Sequence, residues 1–284
     1  MNNDVNIKQT VREKYTAIAE QSKEQNSASC CGATSCCDDK VYTIMADDYT
    51  RLEGYNPDAD LGLGCGLPTE YALLKEGQTV IDLGSGAGND AFIARRIVGE
   101  SGRVIGIDFT EAMVARAKEN SQKLGLQNVE FRMGDIEDMP VTSNLADVIV
   151  SNCVLNLVPN KHKVFSEIMR VLKPGGHFSI SDIVLEGELP EKWRSVAELY
   201  AGCVSGAIQK NDYLDVIREA GFTDITVQKD KTIQIPDEIL SGYFSPEEID
   251  AFRQSGTRIT SITVYAKKPA KDDRNCCSPG SGCC

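Results

Sequence analysis

The chain predicts an α/β fold: a mostly parallel sheet with helices on both faces and a substrate-covering insertion toward the C-terminus. Three observations carry this prediction. Short β-branched runs alternate with helical stripes between residues 79 and 183, the first of those runs empties into a glycine loop that opens a helix, and the alternation breaks after Leu185. Parallel strands need crossover helices, so this alternation calls for a sheet covered on both sides.

The elements follow in order. Val5, Ile7, Val11, Tyr15, Ile18 and Ala19 approximate one helical stripe over 5–20, and the Ser, Asn, Gly and Cys of 21–39 mark a loop or mobile arm behind it. Strands are expected at 79–83, 103–107, 129–133, 146–151 and 177–183. The helices between them run over 91–98, from a Thr110 N-cap to Leu124 with a stop at Gly125, and over 161–172, closed by Lys173-Pro174-Gly175-Gly176. Beyond these lie helical stretches at 191–201 and at 212–220, the second stopping at Gly221, and β-branched runs at 224–227 and 259–266 that can finish the sheet. Residues 186–209 read as an insertion over the sheet edge, and 233–258 as loop plus a helix started by Ser245-Pro246-Glu247-Glu248. The expected organisation is an N-terminal helix and Cys-rich arm (1–40), a cofactor domain (41–185), a capping region with the sheet-completing strands (186–270) and a disordered Cys-rich tail (271–284).

Composition narrows the function. With 30 Lys+Arg against 42 Asp+Glu in 284 residues, the net charge of −12 argues against nucleic acid as a partner. No apolar run approaches the roughly 20 residues that a membrane helix requires, and the first ten residues are too polar for a signal peptide, so a cytoplasmic protein, free of membrane and expected as a monomer, is the reading.

Val80-Ile81-Asp82-Leu83-Gly84-Ser85-Gly86-Ala87-Gly88-Asn89-Asp90 is a strand that runs into a glycine loop and then a helix, an arrangement that aims backbone amides at a ligand. Asn89 stands where a dinucleotide fingerprint would carry its third glycine, which weakens an NAD reading. Asp108, twenty residues past Gly88, ends the next strand, where its carboxylate can accept from both hydroxyls of a ribose. Gly134-Asp135-Ile136 ends the third, where Asp135 can accept from an exocyclic amine while Ile136 and Met113 pack against a ring. Any one of these could be a turn, a cap or a solvated carboxylate; on successive strands they describe an adenosine site. The segment 77–182 resembles the Rossmann-like S-adenosylmethionine (SAM) domain of class I methyltransferases. That resemblance implies a cofactor set of Asp82, Gly84, Ser85, Gly86, Gly88, Asp108, Phe109, Met113, Gly134, Asp135, Ile136 and Asn152.

Eight of the eleven cysteines are adjacent pairs near the ends (Cys30-Cys31, Cys36-Cys37, Cys276-Cys277, Cys283-Cys284), which leaves Cys65, Cys153 and Cys203. Cys65 lies in a glycine-dense loop where neither helix nor strand is expected to hide its thiol, Cys153 follows the fourth strand, and Cys203 lies in the insertion. Buried cysteine as a small hydrophobe and a structural zinc site are the competing readings, although the internal three show no C-x-x-C spacing and His162 and His177 no ligand pattern. A soft trivalent centre such as As(III) would take three thiolates in a pyramid and turn its lone pair outward, toward a methyl donor.

The segments Leu61-Gly62-Leu63-Gly64-Cys65-Gly66-Leu67-Pro68, Ser151-Asn152-Cys153-Val154-Leu155-Asn156-Leu157 and Tyr200-Ala201-Gly202-Cys203-Val204-Ser205-Gly206-Ala207 resemble the three cysteine segments of arsenite SAM methyltransferases. The resemblance implies that arsenite, or its thiol conjugate, is held by Cys65, Cys153 and Cys203 and methylated to mono- and dimethyl products. It also implies a redox partner for Cys65 upstream, with four candidates of which Cys30 and Cys31 look nearest; because methyl transfer formally oxidises arsenic, thioredoxin or glutathione is expected as reductant. The tail pairs can capture As(III) or be merely tolerated. Two rivals stay open: another small-molecule methyltransferase, such as a quinone or sterol C-methyltransferase, and a non-enzymatic thiol-rich metalloid buffer.

Overall fold

A computed structural model of the chain describes residues 2–20, 47–190, 192, 206–235 and 237–270. Helix α1 spans Asn2–Glu20; α2 is the single turn Pro68–Tyr71; then come β1 (Thr79–Leu83), α3 (Asn89–Val98), β2 (Arg103–Asp108), α4 (Glu111–Lys123), β3 (Val129–Met133) and β4 (Ala146–Asn152). The second part holds α5 (Lys161–Val171), β5 (Leu172–Glu186), α6 (Lys210–Glu219), β6 (Thr223–Thr232), α7 (Asp237–Leu240), α8 (Pro246–Gln254) and β7 (Arg258–Lys267). The seven strands form one sheet in the order β3-β2-β1-β4-β5-β7-β6. The first five are mutually parallel, while β7 runs antiparallel to both β5 and β6.

Both faces of the sheet are covered, as the alternation predicts. On one face Val80, Val104 and Val148 pack against Ala91, Phe92 and Ala94 of α3 and Val114 and Ala117 of α4. On the other, Ile81, Ile105 and Ile149 face Val164, Phe165 and Ile168 of α5, and Phe178 and Ile180 face Tyr213 and Ile217 of α6. The central strands are therefore buried on both sides, which is why β1, β2 and β4 are continuous apolar runs rather than alternating ones.

One local expectation needs correcting, and a second holds in position but not in its bond. Lys173-Pro174-Gly175-Gly176 does not close the preceding helix as a turn outside the sheet; it lies within β5, where Gly175 N–H donates to the Lys268 carbonyl (3.0 Å) and Lys268 N–H to that of Gly176 (2.8 Å). Antiparallel pairing with the end of β7 absorbs the glycines. Thr110 is the N-cap of α4, yet its side chain makes no cap bond to the helix; the carboxylate of Asp108 takes the Thr110 N–H instead, at 2.8 Å. The Ser245 cap of α8 behaves as its pattern predicts, with a full capping box to Glu248. The arm at 21–39, the helical stretch at 191–201 apart from residue 192, and the tail at 271–284 lie outside the described residues.

Candidate active site

The carboxyl ends of β1, β2, β3 and β4 open into one cavity, the place where parallel sheets of this kind bind ligands. After β1 the chain turns through Gly84 at φ +64° and Gly86 at φ +50° and lays its amides on the next strand, with Gly84 and Ser85 both donating to the Ile107 carbonyl (2.8 and 3.1 Å). Asp108 fixes the loop from the other side: its Oδ2 accepts the Gly86 N–H at 3.0 Å. Phe109, Met113, Gly134, Asp135 and Ile136 line the same cavity, as do Asp82, Gly84, Ser85, Gly86 and Asn152. Of the cofactor residues expected from the sequence, Gly88 alone is not in the lining. At φ +101° it caps α3, and a side chain there would come within 2.8 Å of both Phe92 and Phe131.

The cavity is electrically unbalanced. Asp82, Asp90 and Asp108 are all buried around its glycine loop. Burial, then the charges of Asp90 and Asp108, pushes the Asp82 carboxyl well above its usual range; burial likewise raises Asp108 and pushes Asp90 up to about 6. Asp82 Oδ2, Ser85 Oγ and Asn89 Oδ1 are buried there without a hydrogen-bond partner. A guest that carries positive charge and several donors answers both deficits, and SAM, with its sulfonium, ammonium and ribose hydroxyls, is such a guest.

The thiols come next. Cys65 and Cys153 share one apolar cluster with Ile183, Leu185, Ala207 and Ile259, and Cys153 also lines the cavity. The Cys65 loop is not open, contrary to its glycine-dense sequence: the cysteine is 0% exposed. Gly64 and Gly66 have no side chains because Asn152 and Ser181 already occupy that space, at 2.6 and 2.5 Å from where a Cβ would stand. Glycines here allow close packing, not exposure. Ser261 of β7 donates to the Cys65 carbonyl (2.5 Å), and Asn152 Oδ1 accepts from the Cys65 and Gly66 amides (3.0 and 3.3 Å). Cys153 itself sits at φ +59°, a left-handed conformation that costs a non-glycine residue about 1–2 kcal/mol, while its N–H donates to the Ser181 carbonyl (2.8 Å).

With this geometry, the comparisons with known proteins are decisive. Residues 74–221 match the model of a methyltransferase domain family. The arsenite methyltransferase of Halobacterium salinarum is 39% identical over 283 residues, covering 94% of this chain and 68% of its own length. The chain belongs to the arsenite methyltransferase family. It is a SAM-dependent methyltransferase. The crystal structure of an arsenic(III) S-adenosylmethionine methyltransferase from Chlamydomonas reinhardtii matches with a TM-score of 0.61 and 34% identity, over 81% of this chain and 73% of that one. By contrast, a ubiquinone/menaquinone biosynthesis C-methyltransferase of Escherichia coli is 36% identical over only 118 residues, 41% of this chain and 45% of its own length.

The cavity wall also holds residues that the sequence reading missed. Lys8 and Tyr15 bring α1 to the cavity wall, and Lys8 Nζ pairs with Asp135 (2.6 Å) and with Glu137, while the Arg12 guanidinium stands 5.6 Å from the centre of the Phe109 ring. The stripe on 5–20 revealed a face to bury but not what it covers. Tyr49 and Asp90 line the cavity as well, and Asp90 did carry a signal: an acid in the first turn of the helix that follows the glycine loop. Asn152, expected at the cofactor, has its amide committed to protein groups. Cys203, Cys30 and Cys31 lie outside the described residues, and among the described residues no group of three metal-ligating side chains occurs.

Proposed function

We propose that the enzyme transfers methyl groups from SAM to trivalent arsenic held by the thiolates of Cys65, Cys153 and Cys203, giving mono- and dimethylated arsenicals. The observation that carries this reading is the meeting of Cys65 and Cys153, 88 residues apart in the chain, in one buried cluster at the carboxyl end of β4, with Cys153 on the wall of the donor cavity. Ala207 belongs to the same cluster.

The donor residues in this reading are Asp82, Gly84, Ser85, Gly86, Asp108, Phe109, Met113, Gly134, Asp135 and Ile136, with Gly88 acting through the shape of the loop. Bound SAM supplies an electrophilic sulfonium methyl carbon. Three thiolates orient the arsenic, whose lone pair forms the new As–C bond as the C–S bond breaks, and no general base takes part. The arsenic is formally oxidised by two electrons, so a second round draws two electrons from thiols: a disulfide forms between Cys65 and Cys30 or Cys31 and is re-reduced by thioredoxin or glutathione. Such thiol traffic belongs to a reducing compartment, the cytoplasm, and asks for no second subunit.

The buried apolar setting of the thiols favours a soft, thiophilic acceptor over one held by hydrogen bonds. Incubation with methyl-labelled SAM, arsenite and glutathione tests the reading. Labelled mono- and dimethylarsenicals are the expected products; bound SAM without any labelled arsenical overturns it.

A further inference from the structure

The side chains that join the donor cavity to the Cys65 loop form a network with one centre. Asp90 is buried at the start of α3, and its oxygens, although on the cavity wall, are taken by protein donors: Tyr49 Oη at 2.9 Å, Asn152 Nδ2 at 3.1 Å and Thr69 Oγ1 at 3.5 Å. Each of these groups leads to the loop. Asn152 accepts from the Cys65 and Gly66 amides and donates to the Gly66 carbonyl (2.9 Å), Tyr49 Oη lies 3.0 Å from that same carbonyl, and Thr69 belongs to the turn that ends the loop. Its carboxyl, pushed up to about 6 by burial, is still mainly ionised at neutral pH, an acceptor that obliges all three neighbours to donate.

We propose that Asp90 is a positioning residue for the acceptor side: its buried carboxylate, acting through Asn152, Tyr49 and Thr69, holds the loop at 64–69 in place and so sets where the Cys65 thiol stands relative to the donor cavity. This rests on the reading of Cys65 as an arsenic ligand only for its consequence on rate; the positioning itself concerns protein groups. Asn152 turns its amide oxygen to the Cys65 and Gly66 amides and its nitrogen to Asp90 and the Gly66 carbonyl, so the Asp90 carboxylate ties that orientation, and with it the loop, to the start of α3. A neutral amide at 90 keeps its oxygen for Tyr49 and Asn152 but loses the charge that strengthens those bonds, and it sets a donor against Thr69 Oγ1, so the hold on the loop weakens.

Asp90→Asn in the full-length enzyme tests this, read by SAM affinity in calorimetry, by methylation rate, and by iodoacetamide labelling of Cys65 and Cys153 followed by mass spectrometry. The expected result is Cys65 labelling at least about fivefold faster with Cys153 unchanged, and kcat for arsenite at saturating SAM lower by at least about tenfold, a larger factor than the fall in SAM affinity. Tyr49→Phe, which keeps the ring, should move the same readouts in the same direction by a smaller factor, and it stands in if the first variant does not fold. SAM affinity lost in proportion to rate with Cys65 labelling unchanged overturns the proposal, and so does equal acceleration at both cysteines, which is general loosening. If Cys65→Ser still methylates arsenite while Asp90→Asn selectively exposes Cys65, the positioning stands and the thiolate reading falls.

Discussion

The donor cavity and the thiol cluster touch at Asn152 and Cys153, yet they are assembled in different ways. Asp82, Asp108 and Asp135 stand at or just beyond the ends of β1, β2 and β3, adjacent parallel strands whose register (Val80 beside Val104, Val104 beside Val129) brings these ends level. Each lies within a short local motif, so once the sheet forms the donor cavity is largely formed. The thiol cluster depends instead on contacts between residues far apart in the chain, such as Cys65 with Asn152 at a separation of 87 and with Ser261 at 196. One side is a consequence of the fold; the other is a loop docked onto it. The two should therefore fail independently, and substitutions can show whether they do.

The largest separation is expected for Cys153→Ser. A serine oxygen is a hard donor that cannot replace a thiolate on arsenic, so arsenite methylation should fall below detection, by more than about a thousandfold, while SAM affinity stays within about threefold. Labelled-methyl assays paired with calorimetry decide it. Loss of both functions together would mean that the two regions are one energetic unit, for which the strained φ of Cys153 offers the mechanism.

Asp108→Ala is the converse and comes second. It removes the acceptor of the Gly86 and Thr110 amides together with the expected ribose ligand, so SAM affinity should fall about 10- to 100-fold. Arsenic capture, followed by the near-ultraviolet absorbance of As(III)–thiolate bonds in the absence of SAM, should not change.

The same contrast explains what could be read from the chain in advance. The strands, their helices and the cavity-lining set from Asp82 to Ile136 were legible because each is written in a local pattern: an apolar run, a glycine loop, an acid at a strand end. Gly88 was assigned to the cofactor because spacing cannot distinguish a glycine that admits a ligand from one that admits Phe92 and Phe131. The burial of Cys65 was illegible for the opposite reason. Gly62, Gly64 and Gly66 read as a glycine-dense loop with nothing to hide its thiol, and only the tertiary structure reveals that Gly64 and Gly66 are small because Asn152 and Ser181 press against them. The Asp90 network joins four separate segments, and no local pattern could have announced it.

A third test concerns Asp182, buried within β5, with Tyr213 Oη at 3.3 Å. Burial raises its carboxyl from 3.8 to about 7 against the opposing pull of Lys161 and the bonds from Ile183 and Tyr213. A raised acid destabilises the fold as it ionises: the unfolded chain gives up this proton near 3.8 and the folded one near 7, so stability is lost as pH climbs through that window. Between about pH 5 and about pH 8 the loss amounts to about 2–3 kcal/mol at most. Asp182→Asn should remove that slope from urea midpoints measured at the two pH values. The penalty of leaving the Lys161 ammonium without its counter-charge is common to both and cancels in the difference. A slope that survives the substitution would assign the pH sensitivity to the acids of the donor cavity instead.

The smallest effect is the most searching test of independence. Ser245 caps α8, with its Oγ accepting the Glu248 N–H at 3.3 Å and Glu248 Oε2 accepting the Ser245 N–H at 2.8 Å. The cap is exposed, but α8 carries Ile249, and Phe244 precedes it; both pack in the cluster that holds Cys65 and Cys153. Ser245→Ala should cost about 1 kcal/mol, a fall in Tm of a few degrees, with SAM affinity unchanged. If the thiol cluster is a docked region with its own local stability, labelling of Cys65 should rise by about the fivefold that 1 kcal/mol allows while the donor cavity remains closed to exchange. Equal loosening of both regions, read by amide hydrogen exchange at β1 and β7, would show instead that the antiparallel strands tie the thiol cluster into the main cooperative unit, and that the docked loop is no softer than the sheet beneath it.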